Sequence, residues 1–239
     1  MSNKRNKRKT NSLHHDLTHQ HNFTVNSVKL TERQKQFLKI ALSPHTNIIY
    51  IDGPAGSTKT HMAVYAALRL LGPSHNLDLL YVRTIIESAE KGIGALPGAM
   101  EEKFNPYMAP LNDKLYELLP HNTTIQKELI EQNRIQAIPV NFLRGASWKN
   151  KIVIADEAQN FSYKELVTLI TRIGDGTKLF ICGDFMQSDI NGKTGFGTIT
   201  SLFNDEESKK EGIHTFSFGI EDIKRSKILK YIISRLQNV

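Results

Sequence analysis

Residues 48–60 read IIYIDGPAGSTKT, an apolar run that leads into a glycine-bearing loop and a Lys-Thr pair. The apolar run predicts a buried strand, and residues 62–71 continue as a helix that Gly72-Pro73 ends. A strand, a glycine-bearing loop, Lys-Thr and a helix in this order are typical of a phosphate-binding loop. In such a loop the backbone amides and the helix N-terminus face the phosphates. The alternative is an ordinary strand-to-helix turn.

The loop supplies the candidate nucleotide-binding residues Gly53, Pro54, Ala55, Gly56, Ser57, Thr58, Lys59 and Thr60. Lys59 is expected to reach the β- and γ-phosphates, and the hydroxyl of Thr60 to ligate Mg²⁺. Thr58 departs from the usual G-x-x-x-x-G-K-[ST] pattern, which has a glycine at that position. A β-branched residue is costly there if the backbone needs a positive φ.

A second motif, KIVIADEAQ at residues 151–159, is an apolar strand that ends in two adjacent acids. Such a pair is the usual partner of a phosphate-binding loop. We expect Asp156 to hold Mg²⁺ through its water shell and Glu157 to polarise the attacking water. The alternative is a helix N-terminus that carries acidic residues.

A third motif, LFICGDFMQ at residues 179–187, also ends an apolar strand in polar residues. Gln187 is a candidate for sensing the γ-phosphate or orienting water. A turn after a strand is the alternative for this motif alone. The three motifs together predict ATP or GTP binding.

Short apolar runs alternate with helical patterns along the rest of the chain. Six strands are predicted, at residues 48–51, 79–82, 137–140, 152–155, 179–182 and 215–218. Four of them are nearly all apolar, as expected for parallel strands covered on both faces. The alternation predicts an α/β fold with an open, mostly parallel sheet and helices on both faces. Ligands of such sheets bind beyond the carboxyl ends of the strands, which is where the three motifs lie.

Composition excludes several other classes of protein. The chain has 239 residues, a net charge of +7 and a single cysteine, Cys182. One cysteine allows no internal disulfide framework, and no apolar run is long enough to span a membrane. The basic N-terminus is not followed by an apolar stretch, so it does not resemble a secretory signal. A cytoplasmic location is therefore expected.

The chain divides into a polar tail, residues 1–26, and a globular domain, residues 27–239. Residues 1–20 carry five basic side chains against Asp16 alone. A short basic arm is attracted to phosphate backbones without reading their sequence. A disordered solubilising tail is the alternative.

The three motifs together resemble the PhoH (phosphate-starvation-inducible) ATPases. The resemblance covers roughly residues 30–236, and it departs from the family at Thr58 and in the strand at residues 178–187. It rests on the phosphate loop, on DEAQN at residues 156–160 and on Gly183-Asp184 with Gln187. It extends to Arg83, Glu90-Lys91, Leu96-Pro97-Gly98, Pro106-Tyr107, Pro110-Leu111 and Arg144-Gly145.

The resemblance implies a RecA-like P-loop core similar to the first such domain of superfamily 1 helicases, with ATP and Mg²⁺ as its ligands. It also implies that Gln34 contacts adenine and that Arg225 is an arginine finger. A surface glutamine and a solvated arginine are the respective alternatives. The chain has room for one RecA-like domain, so a finger would come from a neighbouring copy. We therefore expect a homo-oligomer, with a hexameric ring as one such assembly.

Two classes of function follow from nucleotide binding. The first is an ATPase stimulated by RNA or single-stranded DNA, of the helicase or translocase type. The second is a small-molecule kinase, but adjacent acids followed by Gly183-Asp184 suit water as the nucleophile better. A nucleotide-gated switch or scaffold without unwinding stays open as a third reading.

Overall fold

A computed structural model describes residues 23–74, 76–84, 100–121, 124–143, 147–186, 195–224 and 226–236, apart from the side chains of residues 100–107. Six strands form one sheet in the order β3-β2-β4-β5-β1-β6, and each neighbouring pair is parallel. The strands are β1 (Ile48–Asp52), β2 (Asp78–Arg83), β3 (Ile135–Pro139), β4 (Lys151–Ala155), β5 (Lys178–Cys182) and β6 (Ile213–Ser217). The predicted parallel α/β sheet is confirmed.

Eight α-helices are described around this sheet. They are α1 (Glu32–Ala41), α2 (Lys59–Leu71), α3 (Met100–Leu118), α4 (Ile125–Glu131), α5 (Tyr163–Ile170), α6 (Gly195–Leu202), α7 (Glu206–Lys210) and α8 (Lys227–Leu236). Thr31 caps α1, because its hydroxyl accepts from the Gln34 amide at 3.2 Å. The Gln34 side chain in turn accepts from the Thr31 amide at 3.0 Å, which completes a capping box.

The helices cover both faces of the sheet, as the apolar strands require. Successive side chains of a strand point to opposite faces. Ile49 and Ile51 accordingly join the core beneath α1 and α2, whereas Ile48 and Tyr50 join the core beneath α5 and α6. The central strands are therefore buried on both sides.

Helix α5 is shorter than the run of apolar residues at helical spacing in its sequence. Leu166, Val167, Ile170 and Ile173 recur at helical spacing, but α5 ends at Ile170. The Arg172 carbonyl accepts from the Trp148 amide at 2.8 Å, so the backbone here pairs with the chain that enters β4. Trp148 is buried in the core beneath α5 and α6.

The chain packs on the core before residue 27, where the sequence suggested the domain starts. Phe23 and Val25 lie against the core beneath α2. The Asn26 amide donates to the Leu118 carbonyl at 2.8 Å, and its side chain donates to the Leu119 carbonyl at 3.0 Å. Asn26 thus satisfies carbonyls at the C-terminus of α3, which otherwise lack partners. Within the described ranges, no helix has the length and apolar content needed to cross a bilayer.

Candidate nucleotide-binding site

The phosphate loop follows β1 and leads directly into α2. Gly53 has φ +150° and Gly56 has φ +76°. A Cβ on Gly53 would stand 2.7 Å from the Phe218 carbonyl oxygen, so neither the backbone conformation nor the space admits a side chain. Lys59 spans the loop, since its ammonium donates to the carbonyls of Gly53 at 2.5 Å and Pro54 at 3.0 Å. The loop therefore combines curled backbone, a helix N-terminus and a positive charge, the components of an oxyanion site.

Thr58 occupies the backbone conformation that makes a threonine costly. Its φ is +71° and its ψ is +11°, in the left-handed region. Its hydroxyl accepts a hydrogen bond from Gln34 Nε2 at 2.9 Å. Gln34 is buried, so the alternative of a surface glutamine is wrong. Thr58, which stands where the usual pattern has glycine, thus links the loop to α1 through Gln34.

The first acid after β4 lies against the end of the phosphate loop. Asp156 is 4% exposed, and its Oδ1 accepts from the Thr60 hydroxyl at 2.6 Å. Its Oδ2 accepts from the hydroxyl of Tyr81 on β2, and Arg83 Nε lies 3.8 Å away. Burial, followed by the nearby Asp156 carboxylate, raises the pKa of Tyr81, so this hydroxyl stays a donor. The sequence gives no sign of this contact, because Tyr81 is one residue of the mostly apolar strand β2.

A hydroxyl and a carboxylate in contact are hard oxygen donors suited to Mg²⁺. Protein sites for Mg²⁺ usually supply one or two ligands, with waters and phosphates completing the octahedron. Among the described residues no group of three or more His, Cys, Asp or Glu side chains could hold a metal ion. Thr60 and Asp156 therefore fit a magnesium ion that arrives with a phosphate ligand.

The second acid, Glu157, is held by two side chains. Its backbone is left-handed, with φ +56°, and its Oε2 accepts from Gln159 Nε2 at 2.6 Å. Its Oε1 lies 3.8 Å from Arg83 at the end of β2. Gln159 is buried and also accepts from the Asp184 amide at 3.2 Å, which links the acid pair to the third motif. Gln159 and Arg83 both belong to the motifs identified in the sequence, but no contact was predicted for either side chain.

The third motif reaches the site through Asp184, which is buried and accepts from the Met186 amide at 2.9 Å. Gln187 and Arg225 lie outside the described residues, as do residues 90–98, Arg144 and Gly145 of the family pattern and the basic residues of the N-terminal tail. Gln34, the whole stretch from Ala55 to Thr60, Asp156 and Glu157 line one cavity of about 720 Å³. Gly53 and Pro54 line a second, smaller cavity with Asp52 and Asp184.

The sheet order explains this convergence. Strand β5 separates β1 from β4, so the phosphate loop and the acid pair stand at the carboxyl ends of strands two places apart. Comparison with protein families agrees with the geometry, since the family model described as PhoH-like protein matches residues 27–237. The chain belongs to the PhoH-like family. Its six-stranded parallel sheet, with a phosphate loop after β1, is the α/β architecture that the sequence predicted.

The chain is similar to proteins named PhoH-like protein or Protein PhoH from several organisms. A PhoH-like protein from Synechocystis sp. is 32% identical over 205 residues, 85% of this chain and 60% of the relative. A PhoH-like protein from Bacillus subtilis is 34% identical over 151 residues, 63% of this chain and 46% of the relative. Protein PhoH from Escherichia coli is 30% identical over 197 residues, 82% of this chain and 54% of the relative. The chain thus spans about half the length of the PhoH-like relatives it matches.

Among solved structures, the Pif1 helicase from Candida albicans is similar at a TM-score of 0.45 and 18% identity, over 89% of this chain and 44% of that chain.

Proposed function

We propose that the chain binds ATP on the phosphate loop and hydrolyses it, with Mg²⁺ held at Thr60 and Asp156. The observation that carries this proposal is the 2.6 Å hydrogen bond between the Thr60 hydroxyl and the Asp156 carboxylate. Two oxygen donors from remote parts of the chain meet beside a loop that suits phosphate. Thr60 and Asp156 would hold the magnesium ion, which would neutralise charge on the phosphates.

The remaining residues divide the work of hydrolysis. Lys59 binds the β- and γ-phosphates after exchanging the Gly53 and Pro54 carbonyls for phosphate oxygens. Glu157 is the general base, because its side chain is 40% exposed, lines the cavity and stands next to Asp156. Gln187 orients water or senses the γ-phosphate, and Arg225 neutralises charge in the transition state.

The hydrolysis is coupled to RNA or single-stranded DNA in this proposal. Its support is the net charge of +7, the basic residues at the N-terminus and the resemblance to helicase-like ATPases. The functional unit is a cytoplasmic homo-oligomer, such as a hexameric ring, in which Arg225 acts on the site of a neighbouring copy.

Phosphate release from ATP with Mg²⁺, measured alone and with single-stranded RNA or DNA, tests the proposal. Wild-type turnover should rise with nucleic acid and fall at least a hundredfold in Glu157→Gln, because general-base catalysis contributes about 10²–10⁴-fold. ATP binding should survive in that variant. Binding without turnover in the wild type would instead favour a nucleotide-gated binding module, and a phosphorylated metabolite would favour a kinase.

A further inference from the structure

The carboxamide of Gln34 is engaged on both of its polar atoms. Gln34 is 1% exposed, and its Oε1 accepts from the Thr31 amide at 3.0 Å and from Lys224 Nζ at 3.0 Å. Its Nε2 donates to the Thr58 hydroxyl at 2.9 Å. A carboxamide oxygen has two lone pairs, so the acceptor capacity of Gln34 is filled by the protein itself.

This engagement bears on how a base would be recognised. A glutamine that selects adenine uses both ends of its carboxamide, accepting from the N6 amino group and donating to N7. Guanine offers acceptors at both O6 and N7, so the accepting oxygen provides the discrimination. With its oxygen filled, Gln34 lacks the group that would tell the two purines apart.

Lys224 is the charged side chain that donates to the Gln34 carboxamide oxygen. It lies in an exposed position and lines the cavity that contains the phosphate loop. Two acceptors hold its ammonium, the Lys29 carbonyl at 3.1 Å and Gln34 Oε1 at 3.0 Å. An ammonium has three N–H donors, so within the described part of the chain one donor is left for a ligand.

Lys224 lines the same cavity as the phosphate loop and the acid pair. The apolar side chains of Val28, Ala109 and Pro110 also line it. Small-molecule sites commonly combine such apolar walls with a few fixed polar groups that orient the ligand.

Resting on the proposed nucleotide site, we propose that Lys224, positioned by Gln34, contacts the base and that the site accepts guanine as well as adenine nucleotides. A lone N–H donor can bond N7 of either purine and O6 of guanine, but it finds no acceptor in the adenine amino group. Asp113 and Glu117 also line the cavity, and carboxylates accept from adenine N6 as well as from guanine N1 and N2. The substrate class is therefore purine nucleoside triphosphates.

Competition binding with wild-type protein tests the base preference. ATP, GTP, CTP, 7-deaza-ATP and 7-deaza-GTP would displace a fluorescent ATP analogue in the presence of Mg²⁺. ATP and GTP should bind within about threefold of each other, and loss of N7 should weaken each about tenfold, the effect of one hydrogen bond from a charged donor. CTP, which has no N7, should also bind more weakly.

Lys224→Met tests the residue, with Lys227→Met as a matched lysine variant at the start of α8. Lys224→Met should weaken GTP about tenfold and remove the difference between GTP and 7-deaza-GTP, while ATP keeps its affinity because the Gln34 oxygen is freed. Lys227→Met should behave as wild type, and urea unfolding of both variants checks that they fold. If Lys224→Met is unfolded, the wild-type 7-deaza comparison decides.

The outcomes separate this inference from the function on which it rests. ATP binding with GTP more than tenfold weaker in the wild type overturns the inference and leaves the ATPase proposal standing. If folded Lys224→Met still shows the wild-type difference in affinity between GTP and 7-deaza-GTP, the role of Lys224 is overturned. Failure of every triphosphate to bind overturns both proposals.

Discussion

Thr58 is a β-branched residue held at φ +71°, in a region of backbone space that favours glycine. A left-handed conformation costs a non-glycine residue about 1–2 kcal/mol. The hydrogen bond from Gln34 Nε2 offsets part of that cost, since a typical bond contributes about 1 kcal/mol. The loop therefore keeps the curl that a phosphate site needs, although the residue before Lys59 is not glycine.

Two buried tyrosines on different strands of the sheet, Tyr81 on β2 and Tyr50 on β1, differ in the hydrogen bonding of their hydroxyls. Tyr81 is fully buried and donates to Asp156 Oδ2. Tyr50 is 1% exposed, and within the described residues its hydroxyl has no hydrogen-bond partner. A buried hydroxyl without a partner costs stability, so the contact with Asp156 accounts for a polar group at Tyr81 but nothing equivalent accounts for Tyr50.

Tyr81→Phe should raise the Mg²⁺ concentration needed for half-maximal ATP binding about tenfold, because groups that hydrogen-bond to metal ligands contribute about 10–100-fold to affinity. The physical reason is that Asp156 loses one of the two donors that fix its carboxylate opposite Thr60. Magnesium titrations of nucleotide binding and of the thermal unfolding midpoint measure the change without depending on turnover.

Tyr50→Phe is the matched control for that experiment. It removes a buried hydroxyl with no partner in the described structure, so it should leave the magnesium requirement unchanged and make the protein no less stable. Equal magnesium curves for the two variants would refute a positioning role for Tyr81.

At the scale of elements, Lys178 ties the first residue of β5 to the connection between α1 and β1. Its ammonium donates to the carbonyls of Ser43 at 2.5 Å and Thr46 at 2.6 Å. Burial lowers the pKa of Lys178 from its ordinary 10.5 to about 8. Between these two values the unfolded chain binds a proton that the folded chain has released.

The free energy of unfolding should consequently gain a contribution that rises with pH from about 8 to 10.5, since stability rises wherever the unfolded state binds more protons. Lys178→Met removes the titrating group and should flatten this part of the profile. Urea unfolding at several pH values across the window measures it. Lys178→Arg keeps the donors and the charge throughout, so it separates lost hydrogen bonds from lost titration; identical slopes for wild type and Lys178→Met would contradict the prediction.

The sequence predicted elements well where one chemical signal dominates. Buried parallel strands are runs of apolar residues, and all six strands lie within a few residues of their predicted positions. The ends of elements depend on contacts from elsewhere: α5 stops early because the Arg172 carbonyl pairs with Trp148.

The candidate site divides in the same way. The phosphate loop and acid pair are local motifs, so their residues could be named from the sequence. The roles of Tyr81 and Lys224 arise from contacts between segments remote in sequence, with Asp156 and Gln34 respectively. No local pattern marks either residue, because a strand tyrosine and a loop lysine are ordinary at such positions.

At the scale of the whole molecule, the proposed finger in trans makes a prediction about mixtures. Glu157→Gln lacks the general base, and Arg225→Ala lacks the finger, so each homo-oligomer should be inactive. In an equimolar mixture about one site in four would combine an intact Glu157 with an intact Arg225 from its neighbour, if subunits assort randomly in a head-to-tail ring. Phosphate release should reappear on mixing, after subunit exchange.

Mixing wild type with a chain that carries both substitutions provides the control for exchange. In that mixture the activity should be lower than the wild-type fraction alone would give, because each doubly substituted subunit also deprives a neighbour of its arginine finger. Two inactive variants that stay inactive together, despite exchange shown by mixed fluorescent labels, would rule out a finger supplied by another copy.

Cys182 closes β5 in the middle of the sheet, and it is the only cysteine of the sequence. It is 1% exposed, and burial raises the pKa of its thiol well above the ordinary value. The folded protein therefore buries its only thiol, which lines the cavity of the candidate site. A thiol reagent can modify it only during brief openings of the central strands, so the labelling rate counts those openings. The rate of Cys182 labelling therefore reports how often the sheet opens locally beside the candidate site, and a bound ligand would lower that rate.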